Sequence, residues 1–338
     1  QLTETLCRFM PTDGYAANAN YIRLSAAFPY YHRNILGLSK KYTVGYIDST
    51  GTERTDTVSL FDPATDSLAS TFIRSRNKQI DPEERPARRE NSRSLKIDTA
   101  HALAVMTIHS FGSGGKLPAF YRRSFRKLRK ANIPNLVIDL RTNGGGRVNN
   151  YTALARYIRD ASFKVADTAV AMHNGLGNYK RYFSAGRLNS MILFLTTTKR
   201  QDDRYHFRYW EKHLFRPRKK NHYGGRIFVL INGPTFSAAT LLSHVVKGQQ
   251  NVVLVGEEAG GGAYGNSGIL IPDVVLPETK MRVRMPLFRL VQYRHGTKDG
   301  RGVMPDVFVP PTVDNIRKDR DGKMDKVIEI IKGSSAIQ

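Results

Sequence analysis

The sequence predicts an α/β fold, with a mostly parallel sheet as its core and helices on both faces of the sheet. From about residue 100 onward, apolar runs of strand length alternate with segments of helical periodicity. This alternation is typical of parallel sheets, in which a helix connects each strand to the next. In addition, glycine-rich turns follow several of these strands, at the sheet edge where open α/β proteins bind their ligands.

The elements of this predicted core can be placed in chain order. Short apolar runs predict strands over residues 104–108, 135–140, 191–196, 227–231 and 252–255, with further strands near residues 269 and 281–285. Helical periodicity predicts helices over residues 117–130, 148–160 and 324–331, and one that begins at Ser237. Residues 100–335 are therefore expected to form the core.

The first hundred residues have a different character. Residues 1–60 are expected to form a small, partial N-terminal α+β region, because two alternating runs flank the turn Ser49-Thr50-Gly51 and predict a β-hairpin. Residues 61–99 are polar and contain prolines and arginines. We interpret them as a linker or a mobile excursion.

The chain is strongly basic, with a net charge of +24. Its densest basic run, residues 199–222, includes Tyr205, Phe207, Tyr209 and Trp210, which could serve as stacking platforms for a nucleic acid. No nucleic-acid fold motif accompanies the run, so no nucleic-acid partner is expected. We interpret it as a solvated connecting segment of a protein that contacts an anionic envelope surface.

Ser237 lies in the stretch NGPTFSAAT, after the apolar run 227–231. A serine on a tight strand-to-helix turn holds its hydroxyl over the helix N-terminus, where unpaired N–H groups and the helix dipole favour negative charge. Such a position suits an acyl-transfer nucleophile, whose oxyanion needs donors fixed in advance. The alternative is that Ser237 is simply an N-cap.

A second stretch, NLVIDLRTNGGG, runs from a predicted buried strand into Gly144, Gly145 and Gly146. Consecutive glycines allow the backbone to approach a ligand closely. Taken alone, they could also form a phosphate cradle or a plain turn. The stretch lacks the Lys-Ser/Thr ending of a P-loop, which argues against nucleotide binding.

Together, these stretches resemble peptidase family S41, the tail-specific or C-terminal processing serine peptidases. The matching motifs are DLRTNGGG at 139–146, NGPTFSAAT at 232–240, GEEAGGG at 256–262 and GVMPD at 302–306. They follow the family's order and cover roughly residues 100–315. The resemblance implies a ClpP/crotonase-like core and an acyl-enzyme reaction on a protein or peptide substrate, with no metal and no cofactor. The PDZ module that many members carry is not recognisable.

The resemblance also assigns roles to individual residues. Ser237 would be the nucleophile, and the backbone N–H groups of Ala238 and Gly145 would form the oxyanion hole. Gly144, Gly146 and Glu258 are expected to contact the substrate. Paired glutamates before glycines, such as Glu257 and Glu258, could equally belong to a turn.

This chain differs from many members of family S41 in its general base. Gly262 stands where they have a lysine, so the chain looks like the lysine-free, tricorn-like branch, which uses a histidine and a carboxylate. Asp299 matches the position of that branch's acidic residue. His109, which follows a predicted core strand, is our candidate for the base. His32 is the only early histidine, and nothing around it resembles a catalytic motif.

No early histidine resembles a catalytic one, so we predict that the base comes from a segment preceding Gln1; the competing possibility is that His109 and Asp299 complete a triad within this chain. Two other functions are compatible with the sequence: a non-catalytic member of this fold that binds apolar ligands or peptides, and a nucleic-acid-binding protein driven by charge. The expected location is the bacterial cell envelope, with a signal sequence upstream. Cleavage specificity and oligomeric state stay open.

Overall fold

The computed structural model describes residues 2–60 and 92–335, and the chain divides into two compact units. The first unit comprises Gln1–Met10 and Arg23–Arg88, and the second comprises Pro11–Ile22 and Arg89–Gln338. We call the second one the core unit. Residues 11–22, which we expected in the N-terminal region, therefore belong to the core unit.

The predicted hairpin is present in the first unit. Strands β1 (Lys41–Ile47) and β2 (Glu53–Ser59) pair in antiparallel fashion. Helix α1 spans Leu2–Arg8, and helix α2 spans Asn18–Leu36 with a break in helical geometry at Ala27.

The core unit supplies the remaining elements. Its strands are β3 (Arg93–Asp98), β4 (Leu103–Ile108), β5 (Asn135–Asp139), β6 (Ala166–Ala171), β7 (Thr198–Lys199), β8 (Tyr205–His206), β9 (Arg226–Ile231), β10 (Val252–Gly256), β11 (Gly265–Ile269), β12 (Asp273–Val275), β13 (Arg282–Arg284), β14 (Phe288–Gln292) and β15 (Val307–Phe308). Its helices are α3 (Leu117–Lys130), α4 (Val148–Ile158), α5 (Gly186–Thr196), α6 (Arg208–Lys212), α7 (Ala238–Val246), α8 (Val313–Arg317) and α9 (Gly322–Ser335).

In the described part of the chain, the main sheet has six strands in the order β15-β10-β9-β5-β4-β3. All neighbours are parallel except β3 and β4. Side chains of β9 alternate between two apolar layers, because successive residues of a strand point to opposite faces. Ile227 and Val229 join the layer that contains α3, α4 and α7, whereas Phe228 and Leu230 join the layer that contains Val327 of α9. The predicted α/β fold with helices on both faces is confirmed.

A second sheet, in the order β11-β14-β6-β8-β7, is antiparallel throughout. Only β11 within it was predicted. The strand predicted at residues 191–196 is wrong, because these residues form the second half of α5. A six-residue apolar run suits either a strand or a helix, and here helical structure begins earlier, at Gly186.

Two segments expected to be connections are structured. Residues 93–98 of the predicted linker form β3, which pairs with β4 at the edge of the main sheet, while residues 61–91 lie outside the described residues. Most residues of the basic run 199–222 are exposed, as expected of a solvated segment, but the run also contains β7, β8 and α6. Phe207 packs against Trp210 and Phe288 with ring centroids 4.5 and 5.9 Å apart, and His206 is buried.

Arg141 ties the C-terminal helix α9 to the main sheet. Its guanidinium donates to Asp139 Oδ2 and to Asp321 Oδ1, each at 2.7 Å, and Asp321 directly precedes α9. Burial opposes ionisation of Asp321, but the hydrogen bond and charge of Arg141 outweigh it and lower the pKa of that carboxyl. Asp321 therefore stabilises the fold in its ionised form.

We expect Asp321→Asn to remove a part of the stability that is complete above about pH 4 and declines below it. Because the folded pKa is lowered, this contribution is complete above the unfolded pKa of about 3.9 and is lost as the pH falls through the folded value. Urea unfolding should show the variant less stable than the wild type at pH 7, with the difference shrinking towards pH 3. A difference independent of pH would contradict this assignment. Asp314→Asn, in an exposed pair with Lys318, is the control and should cost at most about 1 kcal/mol.

Candidate active site

Ser237 directly precedes α7, at the end of the turn that follows β9. Its backbone has φ 51° and ψ −120°, a conformation that residues with a side chain rarely adopt. Its side chain makes no capping hydrogen bond, although it occupies the N-cap position. The hydroxyl of this half-buried serine is therefore not used to close the helix, which weighs against the N-cap alternative.

The turn is held rigidly by Thr235, whose side chain is fully buried. Thr235 Oγ1 donates to Leu140 O at 3.0 Å and accepts from Asn232 N–H at 3.1 Å. Its carbonyl oxygen accepts from Gly260 N–H at 3.1 Å. These bonds link the Ser237 turn to the end of β5 and to the loop after β10, and they support the strained backbone.

Gly145 packs directly against Ser237. Its φ is +104°, and an added Cβ would lie 2.6 Å from Ser237 Cβ and 2.9 Å from Phe236 O. Only glycine fits there. The N–H of Gly145 donates to Asn143 Oδ1 at 2.9 Å. Ala238 is the first residue of α7, so its N–H has no partner within the helix. The two predicted oxyanion donors are thus neighbours, but Gly145 N–H is hydrogen-bonded in this state.

Asn143 was not singled out from the sequence, yet it connects three parts of the site. It is fully buried, and its Nδ2 donates to Ile108 O at 2.9 Å. Its Oδ1 accepts from Gly145 N–H, and its carbonyl oxygen accepts from Phe236 N–H at 3.0 Å. The only signal in the sequence was its place directly before the three glycines.

The two glycines flanking Gly145 differ. Gly144 is exposed, and an added Cβ would meet nothing within 4 Å. Gly146 pairs with Phe111 in an isolated β-bridge, and a Cβ there would lie 2.3 Å from Phe111 C. Both glycines are exposed, but only Gly144 has room for an added side chain, because the backbone of Gly146 lies against Phe111. Their role in binding substrate stays a prediction.

The paired glutamates contact other parts of the protein. Glu258 Oε1 accepts from Gly302 N–H at 2.8 Å, which anchors the GVMPD segment. Glu257 pairs with Lys323 of α9 at 2.7 Å, and both side chains are largely buried. These contacts are those expected if the pair belongs to a turn, and the substrate contact of Glu258 stays a prediction.

The structure does not bring His109 and Asp299 together. His109 is exposed, follows β4, and its Nδ1 is hydrogen-bonded to Thr142 Oγ1. Asp299 is exposed and accepts from Arg301 N–H at 2.9 Å. Within the described residues of the core unit, no hydrogen bond or ion pair joins these two side chains, and none reaches Ser237 Oγ. Because β5 lies between β4 and β9, the strands that precede His109 and Ser237 are about 10 Å apart.

Residues 11–22 cross the glycine-rich loops near Ser237. Asp13 Oδ2 accepts from Gly262 N–H at 2.8 Å, and Tyr15 N–H donates to Gly300 O at 2.7 Å. The Cβ of Ala19 lies 3.0 Å from where a Cβ of Gly260 would stand. Gly262, which occupies the position of the family's lysine, is thus bonded to this early segment.

The edge strand β11 passes beside the nucleophile candidate. A Cβ added to Gly268 would lie 3.5 Å from Ser237 Oγ. Among the described strands β11 pairs with β14 alone, and it is half-buried to exposed along its length. Among residues 2–60 and 92–335, no three His, Cys, Asp or Glu side chains are grouped so that they could hold a metal ion.

The loops around Ser237 lie in a segment that matches a protein-family model. The model is that of peptidase family S41, and it matches residues 102–309. The chain belongs to peptidase family S41. The match includes Gly145, Ser237 and Asp299, and the family identifies the chain as a hydrolase of the peptidase class. A comparison with curated protein sequences gives no match.

Solved structures share the fold of this S41 chain. Mature CPAF in complex with lactacystin superposes with a TM-score of 0.59 at 14% sequence identity, and the alignment covers 99% of this chain and 75% of the CPAF chain. A Parabacteroides merdae protein gives a TM-score of 0.50 at 16% identity, covering 99% of this chain and 98% of its own. At these identities the comparison establishes the fold.

Proposed function

We propose that the chain is a serine endopeptidase in which Ser237 is the nucleophile. In this reaction Ser237 Oγ attacks the carbonyl carbon of a peptide bond and loses its proton to a base. The oxyanion intermediate then collapses, the C–N bond breaks, and the leaving amine takes the proton. Water hydrolyses the acyl-enzyme and releases the new carboxylate. The strained backbone of Ser237, at the head of a buried helix and opposite Gly145, is the observation that carries this proposal.

For the oxyanion hole we retain Ala238 and Gly145. Ala238 N–H lies at the positive end of α7, which favours a developing negative charge. Gly145 would contribute its N–H by exchanging the bond to Asn143 Oδ1 for one to the oxyanion. Such a rearrangement on substrate binding is consistent with hydrogen bonds that tighten only in the reacting complex.

For the general base we retain His109. Its Nδ1 is bonded to Thr142 Oγ1, which orients the ring and leaves Nε2 to accept a proton. The ring and the Ser237 turn would have to approach each other, since a working base lies within about 3 Å of the hydroxyl. Asp299 would orient the base only after leaving its bond to Arg301 N–H.

The substrate class proposed is an extended peptide. Strand β11 is at the edge of its sheet, so its outer backbone N–H and C=O groups have no strand partner within the described residues. A peptide that pairs with this edge would pass Ser237, because Gly268 of β11 lies against the serine hydroxyl. Main-chain pairing of this kind binds peptides with little dependence on their side chains.

Labelling with a fluorophosphonate probe tests the proposal, because only an activated serine reacts with it. We expect the wild-type chain to be labelled and Ser237→Ala to remain unlabelled. Ser110→Ala is a matched control, since Ser110 also contacts the Gly145 loop, through Gly145 O at 3.4 Å. His109→Ala, measured in parallel, tests the base. Labelling of Ser237→Ala, or equal losses in both serine variants, would contradict the assignment.

A second candidate is a non-catalytic binding protein for apolar ligands or peptides. It is favoured by the lack of any hydrogen bond to Ser237 Oγ within the described part of the core unit. In that case the wild type would remain unlabelled, and peptide binding would be the same in the wild type and in Ser237→Ala. The labelling experiment therefore separates the two functions.

A further inference from the structure

Helix α5 presents apolar side chains to solvent. Leu188, Met191, Phe194 and Leu195 are 51, 51, 68 and 70% exposed. At 100° per residue these four positions fall within an arc of about 120° on one face of the helix. Leu193 on the opposite side is buried. The helix therefore has an apolar face with no partner among residues 2–60 and 92–335, in addition to the face that packs on the protein.

A second exposed apolar group lies on the hairpin formed by β12 and β13. Val275, Met281 and Val283 are exposed there. This hairpin is joined to the segment that precedes α5, because Phe183 forms a β-bridge with Val274. The two groups thus flank residues 181–184. Neighbouring groups of exposed apolar side chains, as opposed to single ones, are typical of interaction surfaces.

Basic side chains surround these apolar groups. Lys180 and Arg187 line a surface groove of about 440 Å³ together with Met191 and Phe194. A second groove, of about 490 Å³ beside the hairpin, is lined by cations and an acid: Arg181, Lys280, Arg282 and Asp273. Asp273 is in ion pairs with Arg282 and Arg284, at 3.7 and 3.5 Å. Helix α5 itself contains no acidic residue.

We propose that this surface, formed by α5, residues 177–184 and the β12–β13 hairpin, docks onto an anionic phospholipid bilayer. The exposed Leu, Met and Phe side chains enter the interface, and the surrounding Lys and Arg side chains bind the lipid phosphates. Helix α5 has 11 residues and is about 16 Å long, so it lies on the bilayer. No helix in the described residues is long and apolar enough to cross one.

Charge complementarity favours an anionic bilayer over other partners of this surface. A second copy of the chain would bring together two molecules of net charge +24 and place the same cations opposite each other. A nucleic acid would suit the cations, and the rings of Phe194 and Tyr179 could stack on bases, but it would leave the exposed side chains of Leu188, Met191 and Leu195 in water. An anionic bilayer suits both the apolar and the basic side chains.

Vesicle co-sedimentation with the full chain tests the proposal. We expect the wild type to bind vesicles of phosphatidylglycerol and phosphatidylcholine, and to bind pure phosphatidylcholine at least about tenfold more weakly. Phe194→Ser/Leu195→Ser and Lys180→Gln/Arg187→Gln should each weaken binding to the anionic vesicles by about tenfold or more. Unchanged fluorophosphonate labelling and circular dichroism would show that these variants are folded.

Matched controls make the same chemical changes elsewhere. Val313→Ser/Ile316→Ser removes two exposed apolar side chains from α8, and Arg122→Gln/Arg126→Gln removes two exposed cations from α3. Each should change binding by less than about twofold, since the bilayer contact is local. Equal losses in the α3 control would show a general attraction of a basic protein and would overturn the proposal. A second result would also overturn the proposal. Sedimentation velocity would show that the wild type is a dimer, and Phe194→Ser/Leu195→Ser would convert it to a monomer without affecting vesicle binding.

Discussion

Replacing Gly145 with alanine is expected to abolish labelling of Ser237 and peptide hydrolysis. The new Cβ would stand 2.6 Å from Ser237 Cβ and 2.9 Å from Phe236 O, and both neighbours belong to a turn that is already strained. The positive φ adds a cost of about 1–3 kcal/mol for a residue with a side chain. Displacing this backbone would move a proposed oxyanion donor, so we expect a loss of at least about 10²–10³ in rate. Labelling kinetics measure it directly.

The neighbouring Gly144→Ala is the matched control for this variant. Its added methyl group would meet nothing within 4 Å, and Gly144 is not among the residues with positive φ. Labelling should stay within a few fold of the wild type. If both variants lose activity alike, the loop tolerates no side chain at all. If Gly145→Ala remains active, the close packing on Ser237 is not required.

Asn143→Ala is expected to destabilise the chain and to slow labelling of the molecules that remain folded. The substitution leaves Ile108 O and Gly145 N–H buried without their partner. An unsatisfied buried polar group costs about 1–3 kcal/mol, so we expect a loss of about 2–4 kcal/mol in the free energy of unfolding. Urea unfolding measures the stability, and labelling at low temperature measures the site.

Asn135→Ala separates these two effects. Asn135 is also buried and makes two side-chain hydrogen bonds, to Ala102 O at 3.0 Å and from Arg226 Nε at 2.9 Å. It lies at the opposite end of β5 from the site. A comparable loss of stability is therefore expected, with labelling of the folded fraction unchanged. If labelling is slower in Asn143→Ala but not in Asn135→Ala, Asn143 orients the Gly145 loop. If the two variants are labelled at the same rate, Asn143 contributes to stability only.

The main sheet was predictable because its strands are buried on both faces. Continuous apolar runs, such as residues 227–231 and 252–255, are the strongest strand signal that a sequence offers. Residues 117–130 show the periodicity of a helix with one buried face, and α3 has these bounds. The four motifs that surround the site also lie at the ends of such elements. The family and the placement of Ser237 before a helix could therefore be read from the residues.

The second sheet was missed for a physical reason. Its strands are short and mostly paired with segments far away in the chain, as in β6 with β14. Their stability depends on tertiary contacts that leave no local pattern. The apolar run in α5 was read as a strand because exposed apolar residues were not anticipated there. An unpartnered apolar face looks, in sequence, like a buried one.

The details of the site depend on partners distant in sequence. Asn143 holds Ile108 O across 35 residues, and Thr235 holds Leu140 O across 95. The bond between Thr142 and His109 spans 33 residues. None of these pairings produces a residue spacing that could be recognised in the sequence. The need for glycine at position 145, by contrast, is visible there as a run of glycines.

The bond between Asp13 and Gly262 joins residues that are 249 positions apart. During synthesis the segment around Asp13 emerges early and has no partner until the loop after β10 has been made. Closing so long a loop is costly in entropy and comes after the more local pairings, such as β3 with β4. We therefore expect the glycine-rich loops around Ser237 to be completed late in folding. A chain whose synthesis is unfinished would then have its first strands in place while the surroundings of Ser237 are still incomplete.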